Sequence, residues 1–425
     1  MLVTHPIAET SQPVRQANSV ARLGIIDGIR GWAAVIVVLF HLISETFGGV
    51  VPSLRGPLIR TILNGQLAVS VFFVLSGDAL SASYFLKGSI ASIERLVVKR
   101  YVRLAFPCVC ACLLAYLLMS LGLTFSVEAG RLVHSDEWLG GFLRFAPSLP
   151  RAVRFGLAGV FNSPFDPESY GPFLWTMPVE LVGSMLVFLY LYVFRNLRHP
   201  IRVLLGLVLF MCPLFSHYAA FFFGVYLGHL RSAGGFERLR QEPRWRALSP
   251  IICCIVLVAL AAVPARGWTV IVDTVAAGAL VFCFNTNPIL STLFETRLSA
   301  FLGRLSFPLY LTHFSVIVSL TSYLILQQGA RGQFGYDAVS RIVAVSFVAM
   351  ILAALPFLLV EKWTNQIGAW IVRTTLAPDT TKRSAVDPLA LQQACGLEEA
   401  AWDRKCDVQR TRGDQRQQAG EGRTD

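Results

Sequence analysis

Charge is what this sequence has least of. Asp, Glu, Lys and Arg supply only 15% of its 425 residues, against 54% hydrophobic ones. A water-soluble fold would have to bury nearly every segment on all sides. Several apolar runs exceed the roughly 18 residues that one membrane crossing requires. Short alternating strands are lacking too, which excludes a β-barrel. What is left is an all-α, polytopic membrane helix bundle. Cysteine pairs with disulfide or zinc spacing are also missing. Of the 9 cysteines, Cys108, Cys110 and Cys112 step by two and spread around a helix rather than converging, so they read as packing residues and no metal site is expected. Residues 1–24 lack the short apolar core and small-residue cleavage site of a secretory signal, so the first apolar run is expected to stay as a membrane helix.

The charge that is present is mostly basic, a net +11. It is scattered through short loops instead of gathered in one domain, which argues against nucleic acid as a partner and for membrane orientation. About ten crossings are expected, near residues 25–44, 62–84, 104–123, 172–194, 201–215, 217–230, 249–264, 268–284, 304–326 and 338–360. The join "MCPLFSHYAA" reads either as a tight turn between the fifth and sixth or as a kink at Pro213. With both ends cytoplasmic, inner loops hold Lys87, Arg95, Lys99, Arg100 and Arg103, then Arg195, Arg198 and Arg202, then Arg231 to Arg246. That asymmetry fits an even number of crossings in the cell's inner membrane. Residues 124–171 read as a cap over the outer face with a short interfacial helix. The expected organisation is a cytoplasmic segment 1–24, a membrane domain 25–370, and a polar, disordered, cytoplasmic tail 371–425.

Ionisable residues inside apolar runs are costly unless they face a polar cavity or a partner. Here they are Asp27, Arg30, His41, Asp78, Glu180, Asp273, His313 and Arg341. In "DGIRGWAAVIVVLFH" a helix would turn Arg30 and His41 the same way, about 16 Å apart along its axis. Arg30 either contacts a substrate or holds a carboxylate such as Asp27 or Glu180. Arg100 and Arg103, three apart, would meet on one helix face as phosphate ligands, or mark an inner loop by topology alone. In "LWTMPVEL" the proline before Glu180 would bend its helix around a cavity, with Glu180 orienting His41 and Trp175 lining the pocket. His313 reads as an acceptor contact, a second acid–base group or a satisfied core histidine.

Five blocks occur in order: "LGIIDGIRGWAAVIVVLFH", "VSVFFVLSG", "VVKRYVRLAFP", "LWTMPVEL" and "GRLSFPLYLTHF". Together they resemble the acyltransferase family 3 membrane proteins, which include O-antigen and exopolysaccharide O-acetylases. The resemblance implies transfer of an acyl group, usually acetyl, from acyl-CoA as co-substrate to a hydroxyl of a polysaccharide or lipid-linked sugar, with no resident cofactor and membrane lipid around it. It implies His41, Arg30 and Glu180 as catalytic residues. Acyl transfer to a hydroxyl needs a base such as an imidazole, and His41 is the histidine placed for it on the first helix. Lys99, Arg100, Arg103, Ser76 and Asp78 would serve the donor, and Trp175, Tyr310 and His313 the acceptor or cavity. Asp78 departs from the family pattern, in which an aromatic or aliphatic residue commonly follows "FFVLSG". No serine or cysteine stands out as a nucleophile, so direct transfer and an acyl-enzyme both stay open. A proton-coupled carrier is the rival reading of the same buried charges.

Overall fold

In a computed structural model, residues 12–87, 89–162, 165–193, 195–262 and 269–376 are described. No strand occurs among them; the chain is an all-α helix bundle. The helices are α1 Gln12–Leu39, α2 Pro57–Ile62, α3 Gly65–Lys87, α4 Ile90–Ser120, α5 Ser126–Leu132, α6 Leu149–Leu157, α7 Thr176–Val193, α8 Pro200–Leu214 and α9 Ser216–Ser232. Then follow α10 Gly235–Gln241, α11 Pro243–Ala262, α12 Thr269–Thr286, α13 Pro288–Thr292, α14 Arg297–Val316, α15 Ser322–Gly329, α16 Tyr336–Ala354 and α17 Phe357–Thr375. Two π-helical turns interrupt this series, Phe40–Glu45 after α1 and Ile317–Thr321 after α14.

Among the described residues, 7 helical runs are long and apolar enough to cross a membrane, so the chain is a multi-pass membrane protein. Two of the expected crossings meet shorter apolar helices, Pro200–Leu214 and Val270–Thr286. A third meets α9, which has 17 residues. The expected ten is thus matched by helices in position but by seven in length and apolarity. The fifth and sixth segments are two helices joined through Phe215 and packed on each other, so a turn, not a kinked single crossing, lies at this join.

Three boundaries differ from expectation. Helix α4 begins at Ile90, so Lys99, Arg100 and Arg103 lie within it and not in a loop before it. The last crossing breaks near Pro356 and continues as α17 to Thr375, carrying Glu361 inward. Residues 124–171 are more than a surface cap, since Leu139 and Phe142 are fully buried in the core and α6 packs on α4. Contacts separate a unit ending at Val372 from the residues after it. The expectations for residues 1–11 and for a tail over 377–425 lie outside the described residues.

Two helix pairs approach closely enough that only glycine fits, because in a membrane it is backbone proximity, more than hydrophobicity, that holds helices together. A Cβ on Gly77 would stand 2.0 Å from the Phe221 carbonyl oxygen, and one on Gly224 2.0 Å from that of Val74, which locks α3 onto α9. Likewise a Cβ on Gly31 would meet the Gly303 nitrogen at 2.5 Å, which locks α1 onto α14. The obstructing atoms are backbone, so they cannot swing aside.

Gly77→Ala and Gly31→Ala are therefore expected to cost at least about 1–3 kcal/mol. Gly206→Ala, on α8 with open space around it, is expected to be neutral or to stabilise by about 0.5–1 kcal/mol. Thermal unfolding of the purified variants in detergent checks the contrast; equal tolerance at all three positions contradicts it.

Candidate active site

A cavity of about 260 Å³ opens between α1, α3, α4, α7, α14 and α17. Its polar wall combines Arg30, Arg100, Arg103, Glu180 and Glu361 with Ser76, Thr176, Ser306 and Tyr310. Helix α7 begins at Thr176, which puts Pro178 in its first turn, where a backbone N–H has no helical partner to lose. Instead of bending a helix in its middle, Pro178 stands in the first turn of α7, two residues before Glu180.

The five charges are not equivalent. Arg100 is buried and ion-paired with Glu180, while its Nε donates to Ser184 Oγ at 3.0 Å. Ser76 Oγ donates to the same Glu180 oxygen at 2.9 Å. This pair is satisfied from α3, α4 and α7 at once, and Glu180 makes no bond to His41. Arg30 and Arg103, by contrast, make no hydrogen bond or ion pair among the described residues. Glu361 is near enough to interact with both electrostatically. Among the lining residues three arginines stand against two carboxylates, with Asp27 acting on Arg30 from outside the lining, an arrangement suited to a phosphate-bearing ligand.

His41 lies one helical turn past Val37, and His313 one turn past Tyr310; Val37 and Tyr310 line the cavity and the two histidines do not. The expected single chamber holding both Arg30 and His41 is therefore not what the structure contains. His41 stacks on Phe173 at 4.2 Å, on His313 at 5.6 Å and on Trp138 at 5.7 Å between ring centroids. His313 is wholly buried, and its Nδ1 donates to the carbonyls of Tyr310 at 2.8 Å and Leu309 at 3.1 Å. In the neutral ring that fixes the lone pair on Nε2, which is buried and has no hydrogen-bond partner, as is Nδ1 of His41. Two unspent acid–base atoms on facing rings are unusual in a protein interior, where buried polar atoms are nearly always paired. His41 belongs to one π-turn and His313 precedes the other by a single turn, so both helices widen where these rings meet.

Other expected site residues lie elsewhere. Asp78 is wholly buried away from the cavity. It is bonded to Arg231 of α9, which also donates to Asn285 Oδ1 at 3.1 Å and covers the Phe236 ring at 5.2 Å. Lys99 does not line the cavity, and its Cβ faces Gly368 of α17. Trp175 packs near His217, with centroids 5.8 Å apart, and Thr176 and Met177 take the lining positions. Asp273 accepts from Asn64 at 2.9 Å, and Asp27 and Arg341 are exposed. Tyr310 does line the cavity, its hydroxyl donating to the Phe173 carbonyl at 2.5 Å and lying 2.8 Å from Thr176 Oγ1. Glu361 was missed because the last crossing was expected to end at residue 360; a carboxylate directly after "FLLV" was the available signal. Cys108 and Cys112 are buried packing residues, and no group of metal-ligating side chains occurs among the described residues.

A family model described as an acyltransferase domain matches residues 23–359. Among curated proteins, the O-acetyltransferase PaAT-1 of Phomopsis amygdali is 26% identical, the match covering 83% of this chain and 83% of that protein. No solved structure matches.

Removing one partner of the buried Asp78–Arg231 pair strands the other charge. Asp78→Ala is expected to cost about 3–5 kcal/mol, while the double change Asp78→Leu with Arg231→Met recovers most of it. Unfolding midpoints in detergent read the difference; a harmless single change contradicts the pairing.

Proposed function

The chain belongs to this acyltransferase-domain family and is an acyltransferase, and from that premise we propose that it moves an acetyl or similarly short acyl group from acyl-CoA to a hydroxyl of a cell-surface polysaccharide or lipid-linked sugar, with His41 as general base. The acetyl group is suggested by the relative's name, O-acetyltransferase. Family membership as an enzyme sets aside the carrier reading. The observation that carries the proposal is the cavity itself: two arginines with no ion-pair partner at one end, and two histidines with free ring nitrogens beyond the other.

The donor's phosphates engage Arg30 and Arg103, through the charge-assisted, planar bonding that guanidinium offers phosphate. Arg100 contributes indirectly, by neutralising Glu180 and leaving the other two arginines unpaired. The acyl end points along the cavity toward Thr176 and Tyr310. His41 takes the proton from the acceptor hydroxyl as its oxygen bonds to the thioester carbonyl carbon; the C–S bond then breaks and coenzyme A leaves as the thiol. This route needs no nucleophilic side chain. On this reading the loops rich in arginine face the cytoplasm, where acyl-CoA is made.

Three variants test this. His41→Ala is expected to lower kcat about 10²–10⁴-fold while acetyl-CoA still binds. Arg103→Ala is expected to raise KM for acetyl-CoA by about 10–100-fold, the range of one or two charge-assisted bonds. Lys99→Ala should leave both constants unchanged. Thiol release from acetyl-CoA by the purified protein, alongside acetyl content of surface glycans by mass spectrometry, provides the readout. Undiminished turnover in His41→Ala removes it from the base role.

A further inference from the structure

Among the charged groups lining the cavity, Glu361 is the one that the proposed transfer leaves without a task. It enters from α17, where Glu361, Thr364 and Asn365 fall at i, i+3 and i+4 on one helix face and all line the cavity. Gly368 continues that face, and a Cβ there would stand 3.3 Å from Lys99 Cβ, so α17 meets α4 at this level. Thr364 is buried and its hydroxyl donates to the Val360 carbonyl at 2.7 Å. Glu361 makes no hydrogen bond or ion pair among the described residues. Asn365 and Arg103 are exposed, so the cavity opens to its surroundings at this end.

The Glu361 carboxylate acts across space on Arg103 and Arg30, the two guanidinium groups to which the donor's phosphates are assigned. The other charges around them are Asp27 beside Arg30, Lys99 beside Arg103, and the Arg100–Glu180 pair, whose members are bonded to each other. A phosphate held by Arg30 and Arg103 would therefore lie in the field of a fixed negative charge, and like charges sharing a site weaken binding.

That weakening answers a difficulty that comes with the acyl-CoA reading, on which the inference rests. Acyl-CoA and the coenzyme A left after transfer carry the same phosphates. Every bond to those phosphates holds product as firmly as donor. Uniform binding of this kind does nothing for the chemical step, and it slows the departure of product.

We propose that Glu361 is an affinity-setting residue, which offsets Arg30 and Arg103 before the donor arrives and, by opposing its phosphates afterwards, lets coenzyme A leave. It touches no reacting atom. Removal of its charge is expected to tighten binding, the opposite of what loss of a contact or of local structure would give.

The test measures coenzyme A binding to the purified full chain in detergent by calorimetry. Glu361→Gln, which keeps the shape and loses the charge, is expected to bind about 2–5-fold more tightly than wild type at low salt, the range of a partly screened charge pair. The gain should shrink as salt rises. Glu361→Asp, which keeps the charge, should bind as wild type does. Radiolabelled coenzyme A chased with unlabelled should leave Glu361→Gln more slowly, by a similar factor. Glu361→Ala carries the same comparison if the glutamine variant does not fold. Weaker binding on loss of the charge would make the carboxylate a direct donor contact, and unchanged binding would mean that it opposes nothing; either result overturns the proposal and leaves the donor reading standing. A wild-type chain that binds no coenzyme A overturns both.

Discussion

The buried pair of Arg100 and Glu180 decides what the cavity can do. A lone guanidinium or carboxylate at that depth would be strongly destabilising, and two together are tolerated only when their remaining hydrogen-bonding capacity is met. Ser76 and Ser184 meet it here, from α3 and α7. Because these two charges are spent on one another, Arg30 and Arg103 are left without a carboxylate bonded to them; Glu361 acts on both across space, Asp27 on Arg30 and Glu180 on Arg103. The cavity is therefore polar in a directed way: neutralised in its middle, cationic at one end. On the proposed reading, that asymmetry orients the donor before any chemistry begins.

Helices around the pair are fixed at backbone contact. Gly77 against Gly224, and Gly31 against Gly303, bring α3 to α9 and α1 to α14 at distances no side chain would allow. These same two close pairs set the cavity walls, since α1, α3 and α14 each contribute to them. Past the cavity, the π-turn at Phe40–Glu45 widens the end of α1 at His41, and the one at Ile317–Thr321 follows the helix bearing His313. Tight packing on one level and local loosening on the next place two imidazoles face to face beside the Phe173 ring.

Much of this was legible in the sequence. Long apolar runs gave the helical membrane class, and the ordered blocks gave the family, which the family model over residues 23–359 shows. Arg30 and Glu180, two of the ionisable residues picked out by their cost in apolar helices, line one cavity with Ser76, Arg100, Arg103 and Tyr310, which the family resemblance implied. What the sequence hid was pairing. Nothing in linear spacing says that Glu180 meets Arg100 and not His41, or that Asp78 finds Arg231 more than 150 residues away. Helix ends were also hard to place: α4 starts early because basic residues continue a helix as readily as apolar ones, and α17 runs on past the apolar stretch to bring in Glu361. The close approaches of Gly31 and Gly77 were not read from the sequence, because their partners lie in distant segments.

The central claim is that Arg30 and Arg103 are the unpaired cations that hold the donor's phosphates. A cryo-electron-microscopy map of the purified protein in nanodiscs with coenzyme A tests it most directly. The account requires phosphate density within hydrogen-bond reach of both guanidinium groups, with the pantetheine running toward Tyr310 and the Arg100–Glu180 pair intact. Phosphate density on Lys99, or at any site that leaves Arg30 and Arg103 empty, would contradict it.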